Sequence, residues 1–153
     1  MKDMTEKELY LPLKEKWYRM IESGEKSEEY REITPYWCQR LLYHVPLPIE
    51  GYWGYSPDDS EDTRGVLQRT FDMIEENRKR WPESKKLTDL NHYLVGTYGT
   101  RGYTHVHFTL GYPKKDDASR HMVRRIKEIV VAEGRPEWGA EVGKEYFVIR
   151  LED

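Results

Sequence analysis

Lys26, Glu29 and Arg31 are charged side chains spaced so that they can converge on one ligand. On an extended backbone Glu29 and Arg31 share a face, because successive side chains alternate. Arginine presents a rigid fork of donors suited to phosphate, carboxylate or a guanine edge, and Lys26 adds a second cation. Glu29 would orient both, or accept from an exocyclic amine. A surface strand carrying a Glu29–Arg31 ion pair accounts for the same pattern, and an exposed pair is worth at most ~1 kcal/mol. As a base or nucleophile, Lys26 would need a depressed pKa, from burial or from a neighbouring cation. Glu25, Glu28 and Glu29 surround it in sequence, which favours the charged ammonium. Ser27 brings a hydroxyl nearby, but strand alternation points it away from Lys26.

Trp138, followed by Gly139 and Ala140, could wall such a cleft and stack on a base, a contact worth ~1–3 kcal/mol. A core tryptophan beside a turn glycine is the equal alternative, and Tyr112 after Gly111 has the same two readings. His105 and His107 put two imidazoles on one strand face, but two ligands are too few for a zinc site, so no metal and no cofactor are expected. Arg120, Arg124, Arg125 and Lys127 form a cationic cluster that suits a nucleic-acid backbone or simply a solvated face. The chain has no Gly-rich phosphate loop, no G-x-S-x-G and no cysteine-based pair.

Particular elements must position these groups. Leu9, Leu11 and Leu13 alternate with polar neighbours as in a half-buried strand, and because Pro12 lacks an amide donor that strand should lie at an edge or end there. Leu13, Trp17 and Met20/Ile21 follow helical spacing, which turns Trp17 toward the core. Gly24 past that run fits a helix C′ position, and Lys26–Glu32 is the expected second strand. Thr34-Pro35 reads as N-cap and first residue of another helix, with Trp37 and Leu41 facing inward. Leu67, Phe71 and Ile74 define a helix of about four turns that stops by Trp81-Pro82. Leu87, Leu90 and Leu94 suggest a weaker helix ending near Gly96. Gly99–Gly102 reads as a turn, His105–Leu110 as a strand and Glu145–Leu151 as the last strand. Met122, Val123, Ile126, Ile129 and Val130 fit helical spacing, yet the β-branched end of Met122–Glu133 favours a strand, and strand is the expectation.

Two stretches carry a family resemblance. Trp17, Tyr18, Ile21, Gly24, Glu25, Lys26, Glu29 and Arg31, in W-Y-x-x-I-x-x-G-E-K-x-x-E-x-R, resemble the signature of the ASCH domain family. Glu137–Leu151, E-W-G-A-E-x-G-K-E-Y-F-V-I-R-L, is similar to that family's closing segment, with a weaker match at Phe108 and Gly111-Tyr112. The matches cover roughly Leu9–Leu42 and Phe108–Leu151. They imply an α+β fold, a small PUA-like mixed β-barrel with flanking helices, here a single domain over residues 1–153 with a helical insertion at 49–98. They further imply a cleft that binds RNA or a modified nucleoside, with Lys26, Glu29, Arg31, Tyr112 and Trp138 as its ligand-binding residues. Some small members are amidohydrolases acting on N4-acetylated cytidine, in which Lys26 and Glu29 would be the catalytic pair. Those enzymes carry threonine where this chain has Glu29, and Thr109-Leu110 replaces an Arg-Asn pair that would add a cation to the pocket.

Composition bounds these readings. The chain has 153 residues, five Trp and twelve Tyr, enough for one packed domain and too aromatic for disorder. The longest apolar runs fall far short of the ~20 residues of a membrane span. The absence of a leader-like opening and the single Cys38 lead to the expectation of an intracellular, cytoplasmic protein with no membrane partner. A net charge of −3 argues against strong sequence-independent DNA binding. Residues 1–62 carry 8 Lys and Arg against 14 Asp and Glu, and the remainder 17 against 14, which leaves room for a basic face in the second part. The aromatic loop Tyr52–Tyr55 beside the acidic Asp58–Asp62 suggests a lid or a surface for a protein partner; a cap on the barrel is the simpler alternative.

Overall fold

The computed structural model describes residues 6–46 and 63–153. The expected aromatic loop Tyr52–Tyr55 and its acidic neighbour lie outside these residues. The chain divides into two compact units, one made of Met1–Arg31 with Gly102–Asp153, the other of Glu32–Arg101.

The first unit is an α+β fold built on a curled, mixed, five-stranded sheet that forms a half-barrel. Its strands are β1 (Glu8–Leu13), β2 (Glu28–Arg31), β3 (His105–Leu110), β4 (His121–Glu133) and β5 (Glu145–Leu151), in the order β1-β3-β4-β5-β2. β1 runs parallel to β3, and every other neighbouring pair is antiparallel. β1 lies at an edge, as Pro12 requires, and Leu9, Leu11 and Leu13 are buried while Tyr10 and Pro12 face out.

The long strand β4 makes the curl. Its first part pairs with β3 and its second with β5, and the register slips between Ile126 and Glu128. A bulge adds one residue to one strand, bends it and increases its twist. It also moves the buried set by one position: Met122 and Ile126 are buried before it, Ile129 and Val131 after it. The resulting spacing of four and then three is why this strand carries helical periodicity in its sequence.

Helix α1 (Glu15–Glu22) joins β1 to β2. Its buried residues are Tyr18 and Ile21, whereas Trp17 is only partly covered, a correction to the expected inward Trp17. Leu13 belongs to the strand, so the helix starts two residues late and its phase turns accordingly. The Gly24 amide donates to the Ile21 carbonyl with φ at +86°, and the Lys26 amide donates to Met20, which ends the helix. Lys26 therefore sits in the connection, and β2 is shorter than the expected Lys26–Glu32.

The second unit is helical. α2 (Pro35–Leu41) starts at Thr34, whose hydroxyl accepts from the Trp37 amide, and it buries Cys38 and Leu41 rather than Trp37. α3 (Thr63–Arg80) is longer than expected and buries Val66, Leu67 and Ile74, leaving Phe71 partly covered. The expected weaker helix is split into the short α4 (Lys85–Thr88) and a π-helical turn, His92–Gly96. Thr100 forms a bridge to Leu42 where a turn was expected.

Candidate functional site

β2 and the connection before it carry the charged residues singled out above. Glu29 lies opposite Ile149 and Arg31 opposite Phe147, so both share a sheet face with two fully buried apolar side chains. Charges in such surroundings persist only when paired and hydrogen-bonded. They are: Lys26 Nζ donates to Glu29 Oε2 at 3.0 Å, and Arg31 Nη1 lies 3.2 Å from Glu29 Oε1. Glu29 Oε1 also accepts from the Tyr30 amide at 3.0 Å, and Arg31 Nη1 donates to the Tyr30 carbonyl at 2.7 Å. The three head groups thus form one network with the carboxylate at its centre.

Lys26 is 1% exposed. Its ammonium lies 4.8 Å from the centroid of the Trp17 ring and 5.7 Å from that of Tyr30, a cation–π enclosure. Burial lowers its pKa below the ordinary lysine value; Glu29 opposes that shift and Arg31 reinforces it. The surrounding glutamates led to the opposite expectation, and the structure corrects it. Glu25 is exposed, and Glu28 faces elsewhere, pairing with Arg150 at 3.1 Å and accepting from the Tyr30 hydroxyl at 2.9 Å. Only Glu29 acts on the ammonium directly, and desolvation outweighs it. Among the described residues the ammonium has one polar acceptor for its three donors.

Trp17 is the site residue that sequence reasoning missed. Gly139, at φ +102°, follows a 3₁₀ turn Pro136–Trp138, and a Cβ there would lie 3.0 Å from the Trp17 ring. The indole is thereby held between the Gly139 backbone and Lys26. Trp17 stands next to Tyr18 at the head of the stretch that leads to Lys26, but helical phase counted from Leu13 assigned it to the core.

Trp138 is 9% exposed and packs with Tyr30, Ala140, Tyr146 and Val148, with the Arg135 guanidinium 4.7 Å from its ring. It packs on Tyr30, whose ring lies 5.7 Å from the Lys26 ammonium. Tyr112 is 93% exposed beyond the end of β3, and the structure does not bring it into the network. The two expected histidines also part company: His105 bonds Thr104, while His107 Nε2 meets His121 Nδ1 at 2.8 Å and its other nitrogen lies 3.6 Å from Glu8. Among the described residues no group of three or more His, Cys, Asp or Glu side chains could hold a metal ion. Of the cationic cluster, Arg125 pairs with Glu152 and Arg120 with Asp117.

Compared with models of protein families, with curated proteins and with solved structures, the chain matches none.

Proposed function

We propose that the chain is an ASCH-type, PUA-like module that grips RNA or a modified nucleoside through Lys26, Glu29 and Arg31. The observation that carries this reading is the convergence of the three head groups in one network, with donors of the Lys26 ammonium still unspent. Arg31, the least buried of the three, offers a ligand carbonyl or phosphate a charged donor, and the Glu29 carboxylate that Lys26 and Arg31 hold offers an exocyclic amine an acceptor. Titration of labelled single-stranded and structured RNA at two salt concentrations tests it. Binding should weaken with a log–log salt slope of about −0.7 per single-strand phosphate contacted. The paired substitution Lys26→Ala and Arg31→Ala should abolish it; binding indifferent to both changes would sink the reading.

The lowered pKa of Lys26 supports a second reading, an amidohydrolase removing an acyl group from a cytidine-type amine. A lysine poised toward its neutral form can take up a proton or attack a carbonyl, which an ordinary surface lysine does poorly. Incubation with N4-acetylcytidine tests it: cytidine released above a Lys26→Ala control means catalysis, and none rules the hydrolase out.

A further inference from the structure

The ends of the parallel pair β1 and β3 frame a cavity of about 470 Å³ that the charged network does not line. Leu13 and Leu110, partners in the strand register, contribute the apolar part of its wall. Around them stand Lys14 at the start of α1, Arg19 one turn further, and Ser119 and Arg120 from the 3₁₀ turn Ala118–Arg120. Glu15 is the single acid in the lining, so three cations meet one carboxylate.

Each arginine is held by carboxylates of its own element. Arg19 bonds Glu22 at 3.1 Å and lies 3.8 Å from Glu15, and Arg120 lies 3.4 Å from Asp117. These pairs are half exposed and weak, and a guanidinium has five donors, so they orient the arginines without exhausting them. Lys14 has no side-chain partner among the described residues. The Ser119 hydroxyl is turned to Asp117 at 2.5 Å and can accept in turn. Forked cations around a concave, partly apolar space suit a tetrahedral oxyanion.

The cavity adjoins the network described above. Arg31 Nη2 makes a long contact of 3.5 Å with the Pro12 carbonyl, and Leu13 and Lys14 are the next two residues. Two residues of extended chain span only about 7 Å. We infer that this cavity is a phosphate site, and that the ligand of the Lys26 network is accordingly a phosphate ester, a nucleotide or an RNA phosphodiester, rather than a free nucleoside. The first half of this inference stands alone; the second rests on the binding reading proposed above.

Inorganic pyrophosphate is the probe for the first half, followed by backbone amide shifts on the native protein. Shifts confined to Lys14, Glu15, Gly111, Ser119 and Arg120, and lost in the double variant Lys14→Gln and Arg120→Gln, support a phosphate site. No shifts there, or shifts spread equally over Lys85 and Lys127, overturn it. Cytidine and cytidine monophosphate are then compared by calorimetry. A phosphate gain of about tenfold in affinity, absent from the double variant, supports the second half. Equal binding of both overturns it and leaves the Lys26 reading standing. Pyrophosphate shifts with neither cytidine ligand bound keep the cavity as a phosphate site, and they overturn both the linkage and the nucleoside reading.

Discussion

At position 26, burial and charge pull in opposite directions. An ammonium out of water is costly unless a carboxylate meets it, and Glu29 meets Lys26 and Arg31 at once. Glu29→Ala leaves the buried Lys26 ammonium without its carboxylate and should cost about 3–5 kcal/mol in denaturant unfolding. Lys26→Met should cost clearly less, because Glu29 keeps Arg31 and the Tyr30 amide. The pH dependence follows from the lowered pKa of Lys26. Between its folded value and the ordinary 10.5, the unfolded chain binds the proton and the folded chain does not, so this residue's contribution to stability rises with pH. Unfolding curves of native protein and Lys26→Met should therefore shift in favour of the native protein as pH approaches 10.5; a constant difference would mean an unperturbed lysine. The residues of this network were legible from type and spacing. Its burial was not, because four glutamates close in sequence resemble a solvated face, and only the pairing of β2 with β5 turns Glu29 inward while leaving Glu25 outside.

Among the elements, β4 decides most. Its bulge keeps both ends of the strand apolar side in, so insertion of an alanine after Val130, where the alternation is regular, should flip the side chains beyond it and prevent folding, seen as loss of the cooperative transition. Lys127→Ala, which keeps the backbone count, should fold normally. A second element-scale prediction concerns the turn after β4. A Cβ at Gly134 would fall 2.7 Å from Ala140 and 2.8 Å from the Tyr30 ring, so Gly134→Ala should cost about 1–3 kcal/mol and should loosen Tyr30 beside Lys26. Strands β1 and β3 were readable because one face of each alternates into the core, and β5 because its continuous apolar run is buried on both faces. Helix α2 was readable from Thr34-Pro35, a local signal independent of packing. What could not be read was phase: which residue of Trp17 and Tyr18 goes inside depends on where β1 hands over to α1, and Trp37 gave way to Cys38 although α2 starts where expected.

For the whole molecule, the division into two units gives unequal cores. The buried apolar side chains of the described residues lie mostly in the sheet unit, with β5 carrying four in succession. Cys38 belongs to the helical unit; it is 0% exposed and burial pushes its thiol up to about 12. Its labelling by a thiol reagent should begin at a denaturant concentration below that which unfolds β5, read by amide exchange. No helix among the described residues is long and apolar enough to cross a membrane. The position of Pro12 has a consequence at this scale. A strand whose outer side pairs with no other strand among the described residues can recruit a strand from another molecule, and an imino acid in its middle blocks that zipper by withholding a donor. Replacing Pro12 with valine should restore the donor and turn a discrete particle into one that grows with concentration, visible as rising light scattering. On that expectation the residue whose carbonyl meets Arg31 would also keep molecules apart.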